Sequence, residues 1–131
     1  MKKTGILNAE LMKQIASLGH KELFLIGDAG MPIPKGVEVI DLVLCEGVPT
    51  FEQVLNAVLK ETEVEYYYLA DEIQTDNRRL FDYIRGAMPA HPYETMPHSD
   101  LKHLTQSCKF AVRTGECSSY SNVVLRAGVT F

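Results

Sequence analysis

Two residues carry the first chemical signal in this 131-residue chain: His20, directly after Leu18-Gly19, and Asp28, at the end of the apolar run Leu23-Phe24-Leu25-Ile26-Gly27. Imidazole is the side chain that both gives and takes protons near neutrality. A carboxylate beside it orients the ring and stabilises the imidazolium, so the pair suits general acid–base work. On pattern alone, a surface turn at His20 and a loop cap at Asp28 fit equally well. His20, His91, His98 and His103 are not spaced as a metal set; His98 and His103 lie five apart, a poor match to one helical face. The chain holds no G-x-G-x-x-G, G-x-x-x-x-G-K, H-E-x-x-H or G-x-S-x-G. The missing phosphate cradle argues against nucleotide chemistry and against a phosphorylated substrate. No cofactor and no metal are expected.

The elements that must position these residues follow from the apolar spacing. Asn8 predicts a helix N-cap, Glu10 puts negative charge in the first turn, and Leu11, Ile15 and Leu18 share a face. Leu7 and Met12 have the spacing of a hydrophobic staple. Gly19 is expected to stop this helix in a left-handed conformation just before His20. Leu23–Gly27 reads as a buried strand, and Asp28-Ala29-Gly30-Met31-Pro32-Ile33-Pro34-Lys35-Gly36 as a loop, because its prolines and glycines break either ladder.

Val37–Leu44 reads as a second strand. Thr50 and Gln53 form a capping box ahead of a helix face made by Phe51, Val54, Leu55, Val58 and Leu59. Glu65–Ala70 predicts a third strand, and Asp76 or Asn77 caps a helix carrying Leu80, Phe81 and Ile84 and closed by Gly86. Tyr93–Met96 reads as a short strand and Ser99–Gln106 as a short helix. Lys109–Arg113 and Asn122–Ala127 read as two closing strands around the turn-like Gly115–Ser121. Alternating helices and buried strands imply an α/β sandwich with a mostly parallel sheet. The closing strands have no helix between them, so at least one is expected to be antiparallel. Ligands of such sheets favour the crevice beyond the strand carboxyl ends, where Asp28 stands.

Composition bounds the rest. With 46% apolar residues, 23% charged and a net charge of −4, the chain fits one domain spanning residues 1–131. No apolar run approaches the roughly 20 residues that cross a bilayer, and Asn8 and Glu10 interrupt the stretch a signal peptide would need. Cys45, Cys108 and Cys117 are odd in number and lack a Cys-x-x-Cys, so they read as reduced thiols buried as small hydrophobes. Negative charge spread along the chain leaves no footprint for nucleic acid. A soluble cytoplasmic protein without membrane insertion is expected. His91 and His103 read as solvated, Arg78-Arg79 with Asp76 and Asp82 as an exposed helix face, and Tyr66-Tyr67-Tyr68 as strand packing or subunit contact.

In order and spacing, several segments together resemble the ribose-pyranase/fucose-mutarotase family over essentially the whole chain. They are Met1-Lys2-Lys3-Thr4-Gly5-Ile6-Leu7-Asn8, Leu18-Gly19-His20, the loop Asp28-Ala29-Gly30-Met31-Pro32-Ile33-Pro34, His98, Arg113-Thr114-Gly115-Glu116, Tyr120-Ser121-Asn122 and Gly128-Val129-Thr130-Phe131. Ser119 and Ser121 stand where relatives commonly carry proline and alanine. The resemblance implies an isomerase that interconverts pyranose and furanose forms of free D-ribose ahead of phosphorylation by ribokinase. It implies a three-layer α/β/α sandwich assembled as a ring-shaped homo-oligomer, typically a decamer of two pentamers, with sites between neighbouring subunits. It makes His20 the proton donor and gives Asp28, His98, Tyr120, Ser121 and Asn122 to the sugar.

The residues agree with that chemistry. Opening a cyclic hemiacetal needs a proton delivered to the ring oxygen and one removed from the anomeric hydroxyl, with no redox change. Asp28 either holds the His20 ring or accepts a sugar hydroxyl, and His98 either binds a hydroxyl or acts as the complementary base. Within the family the rival is L-fucose mutarotase. From other classes come a non-catalytic sugar-binding accessory to ribose uptake and an inactive oligomeric scaffold. The compact length and Tyr120-Ser121-Asn122 lean towards ribose, and the His20/Asp28 pair towards an enzyme.

Overall fold

Asn8 caps the first helix as its position predicts: in the computed structural model, which describes residues 1–131, its Oδ1 accepts the Leu11 N–H at 2.9 Å. That helix, α1, spans Ala9–Ala16. It stops without help from Gly19, which has no left-handed backbone. The Ser17 N–H and hydroxyl close onto the Lys13 and Gln14 carbonyls instead, and the left-handed residue is Lys21 (φ 68°). Leu7 stays 62% exposed, so its staple with Met12 buries little.

The strand β1 occupies Leu23–Gly27 as expected, and β2 contracts to Glu38–Asp41. The contraction follows from its edge position, since β2 pairs on one side only, with Glu38 to Asp41 facing Phe110 to Arg113. The Thr50/Gln53 capping box forms in full and starts α2, Phe51–Leu59. β3 runs from Val64 to Ala70. A short helix not foreseen from the sequence, α3 (Ile73–Asp76), precedes α4 (Arg78–Ala87). Asn77 stands at the N-cap position of α4 without capping it, because its amide donates to the Ser118 hydroxyl and the Ser119 carbonyl. Gly86 lies inside α4, not at its stop. The chain continues through β4 (Tyr93–Met96), α5 (His98–Leu104), a 3-10 turn at Thr105–Ser107, β5 (Cys108–Arg113) and β6 (Val123–Ala127).

All six strands form one sheet in the order β2-β5-β1-β6-β3-β4. Five run the same way, and β6 runs against both of its neighbours. The expected antiparallel closing strand is therefore β6. Side chains alternate between faces along each strand. On one face Phe24, Ile26, Phe110, Val112, Val123 and Leu125 meet the apolar stripes of α1, α2 and α4. On the other, Leu25, Ala111 and Val124 meet Leu101 of α5 and Met31 of the proline loop. The result is an α/β/α sandwich with one thick helical layer and one thin one. Each buried Leu, Ile or Phe contributes about 1.5–3 kcal/mol relative to exposure.

Candidate active site

Because β6 runs backwards, its beginning lies beside the end of β1: Ile26 pairs with Val123. The residues flanking that pair, Asp28 and Asn122, therefore meet. The Asp28 N–H donates to Asn122 Oδ1 at 2.9 Å, and Asn122 Nδ2 donates back to Asp28 Oδ2 at 2.8 Å. The other Asp28 oxygen accepts the Gly30 N–H at 2.9 Å, which starts the turn into the proline loop. Asn122 is buried, and a Cβ on Gly27 would sit 3.0 Å from its Oδ1. Glycine at 27 thus leaves the amide just enough room.

A second loop, after β5, holds the first in place. Buried Thr114 donates to the Gly27 carbonyl at 2.8 Å, Arg113 Nε donates to the Ala29 carbonyl at 3.0 Å, and the Glu116 carbonyl accepts the Ala29 N–H at 2.9 Å. The Glu116 carboxylate accepts the Phe51 N–H at the start of α2 and the Ser118 hydroxyl. Negative charge there complements the helix dipole. Between the loops lies a cleft of about 300 Å³ bordered by Asp28, Ala29, Gly30, Glu116, Cys117, Ser118 and Ser119. That is the lower end of the size range for small-molecule sites.

Tyr120 and His98 stand next to this pair. Tyr120 is one of two non-glycine residues with left-handed backbone (φ 56°), a conformation found preferentially at functional turns. Its ring meets the His98 ring edge-on at 5.1 Å. His98 opens α5, and its N–H is accepted by both oxygens of Glu72 at 3.2 and 3.0 Å. Burial pushes the His98 imidazole below its ordinary value, Lys102 pushes the same way, and Glu72 and Asp28 oppose them. His98 Nδ1 is buried with no partner in the chain. A neutral imidazole with an unused nitrogen suits hydrogen bonding to a hydroxyl or taking its proton. Ser121 is fully buried, and its hydroxyl is engaged by Ser118 and Asn77, so it braces the turn that carries Tyr120 and Asn122 and offers no free hydroxyl to a ligand.

His20 is not in this group. It precedes β1, whereas Asp28 follows it, so the five residues of the strand, about 17 Å of chain, separate them. Its turn is strapped down by Glu22, whose carboxylate accepts the Gly19 N–H at 2.7 Å and Lys109 Nζ at 2.8 Å. Both contacts, the Gly19 N–H first, hold the Glu22 carboxyl below the usual range. The Lys21 N–H is accepted by the Ala127 carbonyl. The carboxylate beside the ring is Glu65, whose Oε2 lies 3.0 Å from His20 Nε2. Of the two roles left open for Asp28, holding the His20 ring is not realised within one chain.

Sequence reasoning assigned neither Glu65 nor Glu72 to the site. Neither carries a local signal, since both act through partners brought close by the sheet. Of the three cysteines expected to be buried, only Cys108 is; Cys45 and Cys117 are exposed. Burial pushes the Cys108 thiol up to about 12, which leaves it inert. His103 is exposed as expected, while His91 is half-buried with an unpartnered Nδ1. No helix is long and apolar enough to cross a membrane.

Residues 1–130 match the RbsD / FucU transport protein family. The chain is 48% identical over 131 residues to a D-ribose pyranase of Pediococcus pentosaceus, with both chains covered in full. It is 46% identical to a D-ribose pyranase of Geobacillus kaustophilus, over all of this chain and 96% of that one. Among solved structures, Bacillus subtilis RbsD complexed with D-ribose superposes with a TM-score of 0.97 at 40% identity, both chains covered in full. The fucose mutarotase of Streptococcus pneumoniae, in complex with L-fucose, shares the fold at a TM-score of 0.81, with 20% identity and 95% of each chain covered.

Proposed function

The chain belongs to the RbsD / FucU family, and from that premise we propose that it is an isomerase interconverting the pyranose and furanose forms of free D-ribose. One observation carries the choice of sugar: nearly half of the residues are identical, end to end, to D-ribose pyranases, against a fifth for the fucose mutarotase. Isomerisation, not mere binding, is supported by imidazoles in two contrasting settings, His20 beside a carboxylate and His98 half-buried near a lysine.

In the ring-opening step, the His20 imidazolium gives its proton to the ring oxygen while a base takes the anomeric hydroxyl proton. The C1–O bond to the ring oxygen breaks and the open aldehyde forms. Reclosure through the C4 hydroxyl gives the furanose and through the C5 hydroxyl the pyranose, and both protons return. His98, kept neutral by burial, supplies the base. Asp28, Tyr120 and Asn122 hold the sugar hydroxyls, and Ser121, through its bonds to Ser118, braces the turn that carries Tyr120 and Asn122. Positioned acid–base groups contribute about 10²–10⁴-fold.

His20 reaches this cluster from a second copy of the chain. The separation along β1 supports that reading, because one protomer cannot bring both ends of a strand to the same sugar. The assembly proposed is a ring-shaped homo-oligomer, a decamer of two pentamers, each protomer a single domain of residues 1–131. Unpaired thiols at Cys45 and Cys117 support a cytoplasmic setting, where ribokinase would use the product.

Saturation-difference NMR on equilibrated ribose, and separately on fucose, tests this. Faster exchange between ribose pyranose and furanose signals is expected, and its loss in His20→Ala. Exchange of fucose anomers alone, or ribose exchange at the solvent-only rate, overturns the reading.

A further inference from the structure

β3 and β6 fall out of step at one residue. Val64 pairs with Ala127 and Tyr66 with Arg126, so Glu65 is an extra residue bulged out of the ladder. Bulges re-aim side chains and recur beside functional sites. This one turns the Glu65 carboxylate to the end of the sheet where His20 stands. One oxygen meets His20 Nε2 at 3.0 Å, and the other lies 2.9 Å from Arg126 Nε, a charge contact whose N–H is not aligned for a hydrogen bond. The Arg126 guanidinium is itself fixed over the Tyr66 ring, 4.6 Å from its centre. The His20 ring is 47% exposed, and its Nδ1 makes no hydrogen bond within the chain.

We propose that Glu65, held by Arg126, is the positioning residue for the His20 proton donor: it fixes the ring through Nε2 and leaves Nδ1 as the atom that serves the sugar. This rests on the reading of His20 given above and adds the part that orients it. The His20 N–H is the foremost cause holding the Glu65 carboxyl below its usual range, with Arg126 adding to it. The carboxylate is therefore charged at neutral pH, and a charged acceptor makes the stronger hydrogen bond to Nε2, which fixes the ring. The other charges around the turn are Glu22 with Lys109, which bond to each other, and Lys21.

Ribose exchange followed by NMR across substrate concentration and pH tests the assignment, with assembled mass checked by light scattering. Glu65→Gln keeps a neutral acceptor of the same length. It is expected to lower kcat by about 10- to 100-fold, with KM within about twofold, and to move the alkaline limb of kcat, where the proton donor is lost, to lower pH. Arg126→Met is expected to move both in the same direction and less. Adding Glu65→Gln to His20→Ala should slow exchange no further. In the unmodified protein, long-range ¹H–¹⁵N spectra should place the neutral-ring proton of His20 on Nε2. A Glu65→Gln enzyme with unchanged kcat and alkaline limb, beside an inactive His20→Ala, overturns the role of Glu65 alone, as does a ring proton on Nδ1. Full exchange by His20→Ala removes the reading of His20 and this one with it.

Discussion

His20 and Asp28 lie at opposite ends of β1, with the five strand residues Leu23–Gly27 and the Lys21–Glu22 turn between them. In the roles proposed above, the two can meet one small sugar only from different protomers. If neighbouring copies share each site, two inactive variants should repair one another. Neither His20→Ala nor Asp28→Asn should exchange ribose alone. Refolded together at equal amounts, about a quarter of the sites pair an intact His20 with an intact Asp28 cluster and recover exchange. Activity that stays absent in mixed assemblies of normal mass would contradict shared sites.

The Asp28–Asn122 pair predicts an unusual acid dependence for Asn122→Asp. That change places a second carboxylate where an amide donates to Asp28 Oδ2 at 2.8 Å. Two carboxylates at this distance cannot both stay ionised, so one takes up a proton. Loss of the buried hydrogen bond should destabilise the variant by about 1–3 kcal/mol at neutral pH. Part of that loss should return near pH 5, as read by thermal melts at both pH values.

Burial gives His98 a linkage of definite sign. Its folded value lies below the ordinary 6.5, so as pH falls the unfolded chain takes the proton first. The stability tied to neutral His98 is complete above 6.5 and is lost as pH drops through the lowered folded value. Thermal melts from pH 8 to 5 should show this loss, and His98→Gln should remove that part of it. Ribose affinity should weaken over the same window if the neutral ring binds the sugar.

Two glycines predict opposite results. A Cβ on Gly115 would lie 2.5 Å from the Val48 carbonyl oxygen and 2.6 Å from its nitrogen, backbone that cannot move aside cheaply. Gly115→Ala should cost about 1–3 kcal/mol by overpacking and slacken the loop that carries Glu116. Gly86 sits within α4 with nothing near a new Cβ, so Gly86→Ala should add about 0.5–1 kcal/mol. Denaturant titration of both variants checks the pair.

What the sequence made legible were features written over a few neighbouring residues. The Leu23–Gly27 and Tyr93–Met96 strands, the Asn8 cap and the Thr50/Gln53 box came out as read. The polar cluster at the carboxyl end of β1 was readable because Asp28 ends an apolar run. What stayed hidden depends on who pairs with whom. Asn77 forgoes its helix for the Ser118–Ser121 loop more than forty positions away. Glu65 faces His20 because a bulge forms between two strands that only the folded sheet brings together. Gly19 follows the helix stop and does not make it, because Ser17 closes the last turn through its own N–H and hydroxyl.

β6 touches both halves of the chemistry. Asn122, immediately before it, grips Asp28, and Arg126, four positions on, steadies Glu65. An even spacing keeps both side chains on one side of the ribbon. The strand thus works as a ruler: deleting a single residue within it would turn one of the two away from its carboxylate, and two distant anchorages would fail through one missing link.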